Sequence, residues 1–251
     1  MAHEGGVVRV RLLAIALTLT ACEKPVVAWS DISYPVESPT GSVSGHPQVD
    51  DDRACATTIR ASGNGADSVA AWWSIRNDSS SVLRFSRFAE GQWSAPIAID
   101  ITDASSRGCN RPAPAIAADI SQGYVHIVYF LEPASGAGVF FAHSMDATGF
   151  HDPVSIAFGK RASEVSIASS GDRLAVAYEE PNAERGQIWL ALSGTMGHIF
   201  ESRLPVSSPN EIAKSPVVTL DGTMLEVEWL ELLQADSLRR SRLATRTGTW
   251  N

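Results

Sequence analysis

Four segments of this chain repeat one grammar, and no other feature limits its fold so tightly. "DSVAAWWS", "GYVHIVYF", "DRLAVAYEE" and "TMLEVEWLE" each alternate apolar with other residues and then reach an aromatic. Aligned, they place Trp72, Tyr129, Tyr178 and Trp229 in register, about 50–57 residues apart. A period of that size marks a repeated supersecondary unit that cannot bury its apolar faces alone.

The repetition extends to both sides of each aromatic. Upstream lie "RACATTIRASG", "RPAPAIAADIS", "RASEVSIASSG" and "KSPVVTLDG", short strands that run into Gly, Ser or Asp turns. Downstream lie "SVLRFSRF", "GVFFAHSM", "QIWLALSG" and "SLRRSRLA", which align Ser86, Ser144, Ser193 and Ser241. After a further turn come "QWSAPIAID", "GFHDPVSIA" and "IFESRLPVS"; the fourth copy has only "TWN". Each unit therefore reads as four antiparallel strands. The segment "LEVEWLELLQADSLRR" has helical character, but its register with the other copies favours strands. The fold class is all-β, a β-propeller of four-stranded antiparallel blades, with four blades visible and a larger ring as the alternative. Residues 51–251 hold the propeller. Val26 to Trp29 is a strand-like run placed to supply the outer strand that the last blade lacks.

The serine-to-aromatic turns resemble degenerate Asp-boxes, the BNR repeats of sialidase-like propellers, whose pattern is Ser-x-Asp-x-Gly-x-x-Trp. "SGTMGHIF" keeps Ser193, Gly197 and an aromatic at Phe200, with Thr195 for the Asp. "SMDATGF" keeps Ser144 and Asp146, with Gly149 and Phe150 shifted. "SRFAEGQW" keeps Ser86, Gly91 and Trp93. No copy is intact. In that family these boxes are structural turns at outer hairpins, away from the central channel.

The resemblance directs attention to the channel. The entry position of the first, channel-lining strand holds Arg53, Arg111, Arg161 and Lys214 in the four copies, one basic residue per blade in a positive ring, and sialidases grip a sugar carboxylate with an arginine triad near such positions. One reading is a site for an acidic glycan. The other is pairing of this basic ring with Glu132, Glu179 or Glu180, and Glu231 at the ends of the second strands. Sialidase chemistry also needs a Tyr nucleophile activated by a Glu, and an Asp acid/base. Tyr129 and Tyr178 occupy the repeated core position; Tyr124 with Glu132, and Asp119 or Asp50 to Asp52 as acids, are candidates by residue type. The sialidase-type Phe/Tyr-Arg-Ile/Leu-Pro motif is not found. His126, His143, His151 and His198 show no ligand spacing, so no metal or other cofactor is expected. "DDD" at Asp50 to Asp52 reads as a solvated acidic loop.

Residues 1–21 read as an export signal: Arg9 and Arg11, then a short apolar run from Leu12 to Leu19. Leu19-Thr20-Ala21-Cys22 resembles the lipobox of bacterial lipoproteins, which implies lipidation of Cys22 and, with Glu23 rather than Asp following, an outer-membrane address. Residues 22–50 then form a lipidated tether. Export implies an oxidising compartment, in which the remaining pair, Cys55 and Cys109, forms a disulfide. A formal net charge of −8 argues against a nucleic-acid partner. The expected partners are the membrane through the lipid and an acidic glycan or envelope protein. The function expected is ligand binding, with an exo-sialidase or other glycoside hydrolase, or a scaffold subunit of an envelope complex, as alternatives. Labelled palmitate supplied to expressing cells should enter the wild type and not Cys22→Ser; equal labelling of the two would remove the lipid anchor.

Overall fold

The computed structural model describes residues 26–35, 47–64, 66–233 and 240–251. The export signal, Cys22 and much of the tether lie outside the described residues. Strand β1 (Val27–Trp29) comes first in the chain. Blade one holds β2 (Arg60–Gly63), β3 (Ser68–Ile75) and β4 (Ser81–Ala89), with two short outer strands, β5 (Gln92–Trp93) and β6 (Ile97–Asp100), both paired to β4. Blade two is β7 (Ala115–Asp119), β8 (Tyr124–Leu131), β9 (Gly138–Ser144) and β10 (Val154–Phe158). Blade three is β11 (Val165–Ser170), β12 (Arg173–Glu179), β13 (Ile188–Ser193) and β14 (Ser202–Pro205). Blade four is β15 (Ile212–Asp221), β16 (Met224–Leu232) and β17 (Ser241–Trp250), with β1 as its outer strand. All pairing is antiparallel, and the one helical element among the described residues is a 3-10 turn at Ala56–Thr58. The protein is a β-propeller of four-stranded blades.

Strand alternation explains why β8 and β12 are apolar along almost their whole length: each is buried on both faces. Val125, Ile127, Tyr129 and Leu131 point to blade one and pack with Val69, Ala71, Trp73, Leu83 and Phe85. Val128 and Phe130 point the other way, to Leu174, Val176 and Tyr178 of blade three. Ala175, Ala177, Leu190 and Leu192 then meet Val218, Leu225, Val227 and Trp229 of blade four. The aromatic register read from the sequence has one structural meaning. Tyr129, Tyr178 and Trp229 each face the preceding blade, and Trp72 lies on the equivalent face of blade one.

Among the described residues no blade lies before blade one, and Trp72 is covered by blade one's own chain. It is fully buried among Ile59, Ala70, Val49, Ala54 and Trp93. Its indole Nε1 donates to Asp51 Oδ2 at 2.8 Å, which gives an acidic-loop residue a structural task. At the other end of the series, the far face of blade four is bare: Met224 is 53%, Val217 50% and Leu230 40% exposed.

The serine alignment needs correction. Cross-strand partners of the aligned aromatics are Arg84, Phe140 and Trp189. Four residues on from these stand Phe88, Ser144 and Ser193, so Ser86 is two residues out of phase, and Ser241 merely opens β17. The physical reason lies in the turn. Glu90 and Gly91 both have positive φ (53° and 82°), so β4 and β5 join in a two-residue hairpin that leaves no room for a box.

The two true boxes are structural. In blade two, Asp146 Oδ1 accepts from the N–H groups of Thr148 (2.9 Å) and Gly149 (3.1 Å) and from Ser144 Oγ. In blade three, where Thr195 replaces Asp, Ser193 Oγ accepts from the N–H groups of Thr195 and Gly197 instead. A Cβ on Gly197 (φ +87°) would lie 2.3 Å from the Phe141 ring. Phe150 and Phe200 each pack edge-on against the preceding blade, on Phe85 (5.0 Å) and Phe141 (5.2 Å).

Cys55 and Cys109 are joined as a disulfide, with Cα atoms 5.3 Å apart. Cys55 caps the 3-10 turn ahead of β2 rather than lying inside a strand, which removes the register offset between the two cysteines. The bond ties the lead-in segments of blades one and two. In the chain-entropy account, closing a loop of this length contributes about 4 kcal/mol.

Strand β1 completes blade four. Val27 pairs with Trp250, Ala28 with Thr249 and Trp29 with Gly248, and the ladder continues to the bridge between Ser33 and Thr245. Val27 and Trp250 are buried together, while the Arg246 and Arg242 guanidinium groups lie over Trp29 and Tyr34. Removing β1 exposes the β17 edge and uncovers Trp250. Deletion of residues 23–30 should lower the melting temperature by several degrees, as expected for a loss of a few kcal/mol; an unchanged calorimetric melt would show that the strand adds nothing to the blade.

Candidate functional site

The inner strands β2, β7, β11 and β15 lie side by side around the axis. Their starts define a leading face, reached by the segments that join blades, and their ends define a trailing face formed by inner hairpins. A cavity of about 450 Å³ opens on the leading face and is bounded by residues of all four inner strands or their lead-ins. Arg60, Glu164, Ser166 and Ser215 supply its polar side chains. The Arg60 Nη1 donates to the carbonyls of Thr57 (3.1 Å) and Ile59 (2.9 Å), which fixes the guanidinium. Its Nε and Nη2 have no partner among the described residues. Arg60 was not singled out by sequence reasoning, because it is the first residue of β2 itself, seven residues after the basic residue Arg53 that was aligned with the other copies.

The four basic residues read as a ring do not form one. Measured against the strand starts, Arg53 lies seven residues ahead of β2, Arg111 and Arg161 lie four ahead of β7 and β11, and Lys214 lies two residues inside β15. Arg53 is exposed in a turn. Arg111 is buried, with its Nη2 2.8 Å from both Asp103 Oδ2 and Ser105 Oγ and its guanidinium 4.6 Å from the Trp73 ring centre. So engaged, Arg111 is no open anion receptor. Arg161 donates to the Glu180 carbonyl at 2.7 Å.

The expected glutamates are also differently engaged. Glu132 pairs with Arg107, and Glu231 pairs with Arg242 at 2.7 Å. Glu179 is buried and accepts the Ser215 N–H at 3.1 Å. Burial raises its pKa, while the Ser215 bond and the charges of Lys214 and Arg161 oppose that rise. Arg161 and Lys214 thus share the surroundings of Glu179 beside the leading cavity.

The tyrosine–glutamate pair read from the sequence, Tyr124 with Glu132, does not assemble. Tyr124 opens β8 and Glu132 follows its last residue, so they stand at opposite ends of the blade, roughly 25 Å apart along the strand. Tyr129 donates to Asp100 Oδ2 at 2.7 Å inside the blade-one junction. Tyr178 is fully buried, and burial raises its pKa. Asp119 closes β7 on the trailing face, far from the leading cavity.

The structure gathers the histidines that looked scattered. His126 and His143 are cross-strand partners on β8 and β9. The His143 ring stacks on His151 at 4.5 Å and meets His198 edge-on at 4.8 Å. Phe141 stacks with both His126 (6.0 Å) and His143 (5.7 Å). Sequence spacing hid the group because His198 comes from blade three and the others from blade two. Among the described residues no group of three or more His, Cys, Asp or Glu side chains is arranged to hold a metal ion. What the packing does set is charge: burial first, then the neighbouring imidazoles, lowers the pKa of both His126 and His143 to about 4.

No known protein family profile matches the chain, and no curated protein matches it in sequence. Solved structures do. A protein of unknown function from Dyadobacter fermentans superposes with a TM-score of 0.56 at 13% identity, over 77% of this chain and 52% of that one. A Hadza microbial sialidase, Hz136, gives 0.48 at 11% identity, over 74% and 45%. The GH43 endo-arabinanase of Bacillus licheniformis gives 0.43 at 14%, over 74% and 71%. At such identities the likeness is one of fold. The chain spans about half the length of the first two.

Depressed histidine pKa values make stability depend on pH with a definite sign. Between about pH 6.5 and pH 4 the unfolded chain binds protons that the folded His126 and His143 refuse, so stability falls as pH falls through that window. The melting temperature should drop between pH 7.5 and pH 5, and His143→Phe should flatten that drop while melting near the wild type at pH 7.5. A variant with the wild-type pH slope would show that this imidazole carries none of it.

Proposed function

We propose that the chain is a binding module of the bacterial cell envelope that holds an acidic glycan at the leading mouth of its propeller. The observation that carries this reading is Arg60, which lines a cavity reached by all four inner strands and whose Nε and Nη2 take no partner among the described residues. A guanidinium edge of that kind accepts a carboxylate through two parallel hydrogen bonds. Lys214 and Arg161, beside Glu179, add positive charge near the same mouth. The serine hydroxyls of Ser166 and Ser215 suit a hydroxylated ligand, although Ser166 Oγ also accepts the Val218 N–H.

Binding is favoured over glycoside hydrolysis by the tyrosines. Tyr129 and Tyr178 are sealed into blade junctions, Tyr124 opens onto the other face, and Tyr34, beside Glu231 and Arg242, does not line the leading cavity. Anchorage through a lipidated Cys22 would hold the module at the membrane, and two acyl signals suffice for stable attachment.

Calorimetric titration of purified protein with sialyl- and uronyl-oligosaccharides at low salt should give saturable binding. Arg60→Ala should weaken it at least tenfold, in keeping with the loss of about 1.5–3 kcal/mol for a charge-assisted contact, and Lys214→Ala should weaken it less. Absence of binding to every anionic glycan, or release of product from a fluorogenic sialoside, would overturn the proposal.

A further inference from the structure

The trailing face carries a second cleft, of about 800 Å³, at the ends of β2, β7 and β11. A volume of this size is in the range of ligand sites. It differs in chemistry from the leading cavity. Its charged side chains are Asp119 and Asp172, and no lysine or arginine lines it. The Asp119 Oδ1 accepts from the N–H groups of Ser121 (3.1 Å) and Gln122 (3.3 Å) and from Ser121 Oγ (2.6 Å). Its Oδ2, and both carboxylate oxygens of Asp172, take no donor among the described residues. Tyr124 stands half-buried in the wall. His126 closes the floor at 2% exposure, and its Nδ1 has no partner among the described residues.

We propose that this cleft is a second ligand site, for a hydroxylated ligand that bears amino groups, an amino-sugar oligomer in chemical class. Two carboxylates in a cleft with no basic side chain among its described lining attract ammonium groups, and carboxylate oxygens also accept sugar hydroxyls. Tyr124 offers a ring against which a sugar face or an ammonium group can rest. Ser62, Asn64 and Ser169 provide further polar groups along the walls. The formal net charge of −8 adds a long-range field of the same preference. The site is independent of the leading cavity, because no residue lines both.

Tetra-glucosamine is the probe, with its fully N-acetylated counterpart as the neutral comparison. Titration of purified protein at low salt should show saturable binding of tetra-glucosamine, at least tenfold tighter than of the acetylated oligomer and weaker as salt rises. Asp119→Asn with Asp172→Asn should weaken it at least tenfold. Asn at position 119 keeps an acceptor for the Ser121 turn, and a circular dichroism melt confirms that the double variant folds. Tyr124→Ala supplies an independent lesion in the same cleft and should also weaken binding. Arg60→Ala, which disables the leading cavity, should leave it unchanged. Equal affinity for the two oligomers, wild-type binding by the double variant, or no saturable binding at all would overturn the assignment; loss of binding in Arg60→Ala would move the ligand to the leading face.

Discussion

Two-faced burial is the constraint on which this molecule depends. A twisted four-stranded sheet with apolar residues on both faces has no stable existence alone in water, and burying such surface is worth about 25 cal/mol per Å². Here the second strand of each blade meets the need. β8 sends odd-numbered residues into one junction and even-numbered residues into the next, and β12 likewise divides its side chains, even-numbered into the earlier junction and odd-numbered into the next. On β8, β12 and β16 the aromatic of that strand is buried toward the preceding blade. Truncating a buried aromatic of this kind typically costs about 3–5 kcal/mol, so the four positions are where the fold is most exposed to mutation.

The same constraint explains blades one and four, each of which has a neighbouring blade on one side only among the described residues. Blade one solves the problem with its own chain: the loop carrying Val49, Asp51 and Ala54 folds over Trp72, and Asp51 satisfies the indole N–H. Blade four solves only half of it. Strand β1 removes the open edge of β17, yet Met224, Val217 and Leu230 remain on an uncovered face among Glu226, Glu228 and Lys214. The alternation of acidic and apolar groups along β16 keeps that face compatible with water, which is why the strand reads as "LEVEWLEL" rather than as the unbroken apolar run of β8.

What was legible in the sequence follows from what each signal measures. Period-2 alternation with a recurrent aromatic reports burial, and burial is common to all copies, so the four visible blades, their strand order and the completing run Val26 to Trp29, of which Val27–Trp29 forms the strand, could be read. The disulfide was legible for a similar reason, since Cys55 and Cys109 flank equivalent inner strands. Serine and arginine positions report local turn chemistry, which each blade solves separately. The Glu90-Gly91 hairpin shifts Ser86 out of phase, and the bulge of β15 between Lys214 and Val217 displaces Lys214 from the place of Arg111 and Arg161. Arg60 and the histidine group were not legible, because their significance arises from neighbours on other blades.

The two mouths of the propeller differ because different backbone tasks fall to them. At the leading face, chain arrives from outer strands through long connections, and these are held by guanidinium groups that donate to carbonyls: Arg60 to Thr57 and Ile59, Arg161 to Glu180, Arg111 to Gly108. At the trailing face, tight hairpins turn back on themselves, and exposed N–H groups must be satisfied by side-chain oxygens. Asp119 serves Ser121 and Gln122, and Asn64 serves Ala66 and Asp67. Arginine satisfies carbonyls and aspartate satisfies N–H groups, so the geometry of connection by itself gives one mouth cationic edges and the other free carboxylate oxygens. The charge that each face offers is then a by-product of how the chain closes its turns, and a substitution that reverses the charge of either mouth also removes a turn's hydrogen-bond partner.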